Sequence, residues 1–326
     1  MESKQALFDA IVVVTGNDFM RMKSHHRRMV ELLPARRLIF CGNAEVVDFF
    51  YKEKEEGIFD GIEDKVDVLS EDDVLAIADV KQLWDELKNA YLGKERNIGT
   101  SVGWYYQQFL KYAYAYICKD DYYLAWDGDT VPCKKISLFS EQGIPYFDYK
   151  RENHEEYFIT MERLLHLKKV ISPSFISEHM LFRCDLVKEL IGAIERNDSI
   201  EGDCWWKKIL YSIRKEKLFD NSFSEFETYG TYNAIHHPTA YRLREWHSFR
   251  YAGFFFDIND VQEKDWSWLS RDFMAVSFER NHGLRPDTKN LFNNPRYQEK
   301  LSARQMLELM QKEFFDEDDL HEIWDN

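Results

Sequence analysis

The chain has 326 residues, 44% of them apolar and 16% aromatic, enough to bury a full core and too hydrophobic for a disordered protein. Its formal net charge is −15, from 43 basic and 58 acidic side chains, which argues against a nucleic-acid protein with a broad basic face. The cysteines are odd in number and lack C-x-x-C or zinc spacing, so they read as reduced thiols of a cytoplasmic protein. The first residues carry no signal-peptide pattern and no run approaches a membrane-spanning length, which leaves at most peripheral contact with the inner membrane face.

From the N-terminus, Ala10–Thr15 is a β-branched run that reads as a strand buried on both faces, closed by a turn at Gly16-Asn17-Asp18. Residues 19–33 read as helical up to Pro34, and Arg21–Arg28 is a local basic run that an anionic substrate could use. Arg37–Cys41 is a second strand, Glu45–Tyr51 a short helix, and Lys65–Leu69 a third strand, with a helix start at Ser70. Residues 102–118 form the clearest helix, with Tyr105, Phe109, Tyr112 and Tyr116 on one stripe. The apolar run Tyr122–Trp126 is a buried strand that leads into Asp127-Gly128-Asp129. Beyond residue 133 the pattern loosens: a strand is expected over 174–184, and helices over 185–195, 205–213 and 225–235. Residues 253–258 and 273–278 are short apolar runs, and 302–325 an amphipathic acidic helix or tail. Strands alternating with helices indicate an α/β fold with a mostly parallel sheet.

Asp127 and Asp129 hold the most chemistry. At the end of a strand, residues i and i+2 point to one side, so their carboxylates converge, and Gly128 leaves room for a ligand against the backbone. Two hard oxygen donors there suit Mg²⁺ or Mn²⁺ carried on phosphates, and ligands of open α/β sheets bind beyond the carboxyl ends of strands. The competing reading is an ordinary turn. No G-x-G-x-x-G follows the first strand and no P-loop occurs. An EF-hand fails because Pro132 stands where Gly is required and Leu138 where the last Glu should be.

Two enzyme classes place Asp-x-Asp after a buried strand. Haloacid-dehalogenase-like phosphatases put it after their first core strand, with the leading Asp as nucleophile, and Asp127-Gly-Asp129-Thr130-Val131 fits that string. Sugar-nucleotide transferases of the GT-A type put it after about a hundred residues of α/β structure, which is the order here. Four blocks add to this: Gly103-Trp-Tyr-Tyr-Gln-Gln-Phe-Leu-Lys111, Tyr123-Leu-Ala-Trp-Asp-Gly-Asp-Thr-Val131, Phe175-Ile-Ser-Glu-His-Met-Leu-Phe182 and Ser224-Glu-Phe-Glu-Thr-Tyr-Gly230. In that order, over residues 10–235, the chain resembles bacterial glycosyltransferase-like proteins of polysaccharide gene clusters, often described only as a domain of unknown function.

The resemblance implies a GT-A-like, Rossmann-like α/β fold, a UDP- or GDP-sugar donor, a Mn²⁺ or Mg²⁺ ion, and a glycan or lipid-linked acceptor. It implies one catalytic domain over 1–285, with a nucleotide-sugar half at 1–132 and an acceptor half at 133–285, followed by an acidic helical tail at 286–326. Asp127 and Asp129 then match the metal and diphosphate motif. Thr15, Asn17 and Asp18 fall where base and ribose are held, or form a plain strand-to-helix turn. Gln107 and Gln108 read as a solvated face or as donor contacts, whereas Lys111 has the better claim to pair with a carboxylate or phosphate. An acceptor hydroxyl needs a carboxylate base, and Glu225 is favoured slightly over Glu227, although both also fit capping boxes with Ser222 and Ser224. His179 is a satisfied core histidine or an acceptor-side group. His247 and His282 are candidates for a third metal ligand, with His25-His26 and His236-His237 read as surface or loop pairs. Trp205-Trp206 and Trp266/Trp268 read as core before sugar platforms. The rivals are a phosphatase using Asp127 and a degenerate binding protein.

Overall fold

The computed structural model describes residues 8–92, 101–285 and 292–308. Its centre is a five-stranded sheet of order β3-β2-β1-β4-β7. The strands are β1 (Asp9–Val13), β2 (Leu38–Gly42), β3 (Val66–Ser70), β4 (Tyr122–Trp126) and β7 (His179–Arg183). The first four run parallel, and β7 lies antiparallel against β4. This is the mostly parallel α/β sheet that the alternation of elements predicts.

Side-chain alternation divides the apolar residues between two faces. Ile11, Ile39, Tyr123, Ala125, Met180 and Phe182 join the core on one side. Ala10, Val12, Leu38, Phe40, Leu124, Trp126 and Leu181 join the core on the other. Helices cover both faces, as a parallel sheet requires. They are α1 (Gly16–Arg21), α2 (His26–Leu32), α3 (Ala44–Glu55), α4 (Ile77–Leu92), α5 (Val102–Ala113), α6 (Glu155–Leu165), α7 (Cys184–Glu195), α8 (Trp205–Ser212) and α9 (Glu225–His236).

Several expected elements shift. Gly16-Asn17-Asp18 is the first turn of α1, because Thr15 caps it by accepting from the Asp18 amide. The stripe on α5 loses its last member: the α-helix stops at Ala113, a 3-10 turn follows, and Tyr116 is exposed. The expected strand 174–184 shortens to β7, since Ser174 instead bridges Lys150. Residues 133–285 hold more structure than the pattern shows. β6 (Tyr146–Tyr149) pairs with β8 (Arg242–Glu245), and β5 (Thr130–Pro132) with β10 (Ala275–Ser277), which also pairs with β9 (Ser248–Phe249).

The halves 1–132 and 133–285 of the expected single domain interlock, because β7 sits in the central sheet and β5 pairs with β10. The start of the expected tail packs on the domain. Phe292, Ala303, Met306 and Leu307 pack in a third core with Trp266 and Trp268, where α10 (Glu263–Leu269) also lies. Residues 286–291 and 309–326 of the expected tail lie outside the described residues. No helix among the described residues is long and apolar enough to cross a membrane.

Candidate active site

The strand order reverses between β1 and β4, and a cleft of about 690 Å³ opens beyond their carboxyl ends. Its floor follows the sheet: Glu71 after β3, Asn43 after β2, Thr15 after β1, Asp127 after β4 and Glu178 before β7. Helix α5 forms one wall, the start of α9 another, and residues 277–281 with Arg250 the far side.

Asp127 leaves β4 with its amide donating to the Glu178 carbonyl, and the chain then turns, with the Thr130 amide donating to the Asp127 carbonyl. Gly128 is required here by a protein neighbour: a Cβ on it would lie 2.3 Å from Val14 Cγ1. The expected ligand approach is thus in part the close contact of the β1 and β4 ends.

Lys111 rises from α5 between two carboxylates. Its Nζ donates to Asp127 Oδ1 at 2.7 Å and to Glu225 Oε1 at 2.6 Å, and lies 4.2 Å from the centre of the Phe226 ring. Burial opposes the lysine charge, but Asp127 and Glu225 outweigh it and hold the ammonium above its ordinary range. Burial raises the Glu225 carboxyl against the pull of Lys111, with Asp127 adding to the rise. Asp129 is pushed up to about 7 by burial and by the charges of Asp127 and Glu279, which Arg21 and Arg250 offset only in part. A carboxyl raised by a neighbouring carboxylate gains from a cation placed beside it.

The surrounding backbone is pinned. Tyr112 donates its hydroxyl to the Glu225 carbonyl at 2.6 Å, and Tyr123 donates to the Lys111 carbonyl at 2.7 Å. Gln108 Oε1 accepts from the Glu225 amide at 3.1 Å. Buried Gln108 is therefore no solvated face; it joins α5 to the start of α9. Gln107 lines the cleft half-buried.

Residues 46–312 match the family of unknown function DUF6492. The chain belongs to this family. The match runs past the stretch 10–235 that carries the sequence resemblance. No curated protein matches the chain. Among solved structures, mouse xyloside xylosyltransferase 1 is similar at 13% identity, over 85% of this chain and 99% of its own, with a TM-score of 0.41. The bifunctional glycosyltransferase WbbM aligns at 10% identity over 94% of this chain and 52% of its own, with a TM-score of 0.42. The galactosyltransferase LgtC with donor and acceptor sugar analogs aligns at 10% identity over 90% of this chain and 100% of its own, with a TM-score of 0.37. No residue's role follows from superpositions this loose.

The residues singled out in the sequence separate clearly. Thr15, Asp18, Gln108, Lys111, Asp127, Asp129 and Glu225 line the cleft; Asn17, Glu227, His179, His247 and His282 do not. Glu227 turns inward, accepting from the Phe175 amide at 2.7 Å and the Thr231 hydroxyl at 2.7 Å, because Gly230 lets the Phe175 ring lie against α9. His179 bonds Asp148 at 2.9 Å and packs on Trp126 and Trp246, a core histidine rather than an acceptor-side group. His247 lies off the cleft lining, its carbonyl accepting from the Met274 amide at 2.7 Å, so the fold does not bring it to the paired aspartates. His25 and His26, expected at the surface, are buried on Ile258 O and Glu53. The basic run 21–28 is largely neutralised by acids, with Arg21 bonded to Asp18, Lys23 to Glu56, Arg27 to Glu31 and Arg28 to Glu263. Trp205, Trp206, Trp266 and Trp268 are core.

Sequence reasoning missed Asn43, Glu71, Trp104, Glu152, Tyr157, Asn221 and Arg250, all on the cleft. Arg250 bonds Glu152 at 2.6 Å and Glu279 at 2.8 Å. The Gly103–Lys111 block gave a signal for Trp104; the others are single residues in weakly patterned segments.

Among the described residues, no group of three or more His, Cys, Asp or Glu side chains is arranged to hold a metal ion. Two adjacent carboxylates still fit Mg²⁺ or Mn²⁺, which bind through one or two protein carboxylates and take further oxygens from phosphate and water.

Proposed function

We propose that this protein is a GT-A-like glycosyltransferase that moves a sugar from a nucleoside diphosphate donor to a hydroxyl of a glycan or glycolipid. The observation that carries the proposal is the buried Lys111 bridging Asp127 and Glu225, with Asp129 beside them, at the point where strand order reverses.

In this reading the donor follows the order of the floor. The nucleoside lies over the ends of β1 to β3, near Thr15, Asp18, Asn43 and Glu71. The diphosphate lies over Asp127 and Asp129, and the sugar towards Glu225. Asp127 and Asp129 would hold Mn²⁺ or Mg²⁺, which supplies charge neutralisation for the leaving diphosphate. Glu225 takes the proton of the acceptor hydroxyl as that oxygen bonds the anomeric carbon. The bond from that carbon to the diphosphate breaks with its electron pair on the leaving oxygen. Lys111 holds Glu225 in place and offsets the charge of its ionised form.

Calorimetry with UDP and GDP, with and without Mn²⁺, tests the reading. One of the two should bind only with metal, and Asp129→Ala should remove that binding while the protein keeps its thermal melt. Metal-independent binding, or turnover retained in Asp129→Ala, would sink it.

A further inference from the structure

One end of the cleft is built differently from the rest. Beyond Glu225, towards α6, the wall is aromatic: Trp104 and Tyr157 stack with ring centres 6.2 Å apart and planes at 18°, and both line the cleft. Their positions are supported from behind. Tyr105 meets Trp104 edge-on at 4.9 Å, and His154 meets Tyr157 edge-on at 4.2 Å while bonding the Asn221 carbonyl at 3.0 Å.

Two polar atoms at this end are left over. Glu152 Oε1 accepts from Arg250, but Glu152 Oε2 is buried without a hydrogen-bond partner among the described residues. A buried carboxylate oxygen with no donor is costly and marks a place where a donor is meant to arrive. The Tyr157 hydroxyl also makes no hydrogen bond among the described residues. Burial holds it protonated, and the nearest charges acting on it are those of Glu152, Glu225 and Arg250.

These features select a ligand class. An apolar ring face with an adjacent carboxylate acceptor and a phenol donor suits a pyranose, whose C–H face packs on aromatics and whose hydroxyls both donate and accept. The cations beside these rings are already paired, Arg250 with Glu152 and Lys111 with Glu225, so a phosphate on the sugar gains little here. We propose that the Trp104–Tyr157 end of the cleft is a subsite for a neutral, unphosphorylated pyranose, with a hydroxyl donated to Glu152 Oε2 and another directed at Glu225. The inference rests on the transferase reading only in making that sugar the acceptor.

The test is saturation-transfer NMR on the full chain with Mg²⁺ and UDP or GDP. The probes are the methyl glycosides of glucose, galactose and mannose, with glucose 6-phosphate as the anionic control. At least one neutral glycoside should give a signal that Tyr157→Phe, Glu152→Gln and Trp104→Ala each reduce at least about fivefold. Tyr157→Phe removes one oxygen, and its thermal melt shows whether the fold is kept. The proposal is overturned if no neutral glycoside binds, if only the phosphate binds, or if the signal survives all three substitutions. Sugar binding through these residues in a protein that binds no nucleotide would overturn the transferase reading and leave the subsite standing.

Discussion

Two buried charge clusters lie side by side in this molecule, and they are finished differently. In one, Glu178 accepts from Lys150 at 2.9 Å, from Trp246 Nε1 at 2.9 Å and from Ser248 at 2.9 Å, so both of its oxygens are taken. Next to it, Asp148 is gripped by Arg244 at 2.6 Å and His179 at 2.9 Å. In the other, Lys111 holds one oxygen each of Asp127 and Glu225, and among the described residues the Asp129 side chain has only the Thr130 hydroxyl at 3.3 Å. Both clusters are built on a buried lysine. What separates them is saturation: in the first both oxygens of Glu178 and of Asp148 are spent on the fold, whereas the second keeps some turned to the cleft. Burial of charge alone does not mark a site.

Lysine substitutions put most weight on this contrast. Lys111→Met and Lys150→Met should each cost about 3–5 kcal/mol in denaturant unfolding, since each strands a buried carboxylate. Only Lys111→Met should also abolish metal-dependent nucleotide binding; equal loss in both would erase the distinction. Glu225→Gln should lower turnover by about 10²–10⁴-fold. Glu227→Gln, two residues on, should act through stability instead, and a matched fall in turnover without unfolding would break the assignment.

Glu178 gives the contrast a pH dependence. Burial raises its carboxyl, but Lys150 and Arg250 outweigh burial and hold it at about 2, below an ordinary value of 4.5. A depressed carboxyl contributes stability that is full above about pH 4.5 and is lost as pH falls towards 2. That contribution is roughly 3 kcal/mol. Glu178→Gln should flatten the acid limb of a stability–pH curve across that window, and an unchanged slope would refute the cause. The smallest effect expected is Gly128→Ala, about 1–3 kcal/mol from crowding against Val14, with weakened metal-dependent binding because the aspartates on either side must move.

The sequence carries the central sheet well because its signals are local. Ile11–Val13 and Tyr123–Trp126 are runs that only a strand buried on both faces explains. β6 and β8 escape detection because Tyr146–Tyr149 acquires its partner at Arg242–Glu245, far along the chain. The paired aspartates and Lys111 are legible by chemistry and spacing. Glu152, Tyr157 and Arg250 are not, since each stands alone until folding brings them together. Histidines need the fold to sort them: His179, read as core or acceptor-side, is buried on Asp148, and His247 lies off the cleft lining.

The cleft wall carries Asp18, Glu71, Asp127, Asp129, Glu152, Glu178, Glu225 and Glu279 against Arg21, Lys111, Arg250 and Arg280. The consequence is kinetic. A bare nucleoside diphosphate diffusing towards this mouth meets a repelling field, whereas its complex with a divalent cation meets a weaker one. The site thus favours arrival of nucleotide and cation as one particle, and this preference should weaken as added salt screens the field.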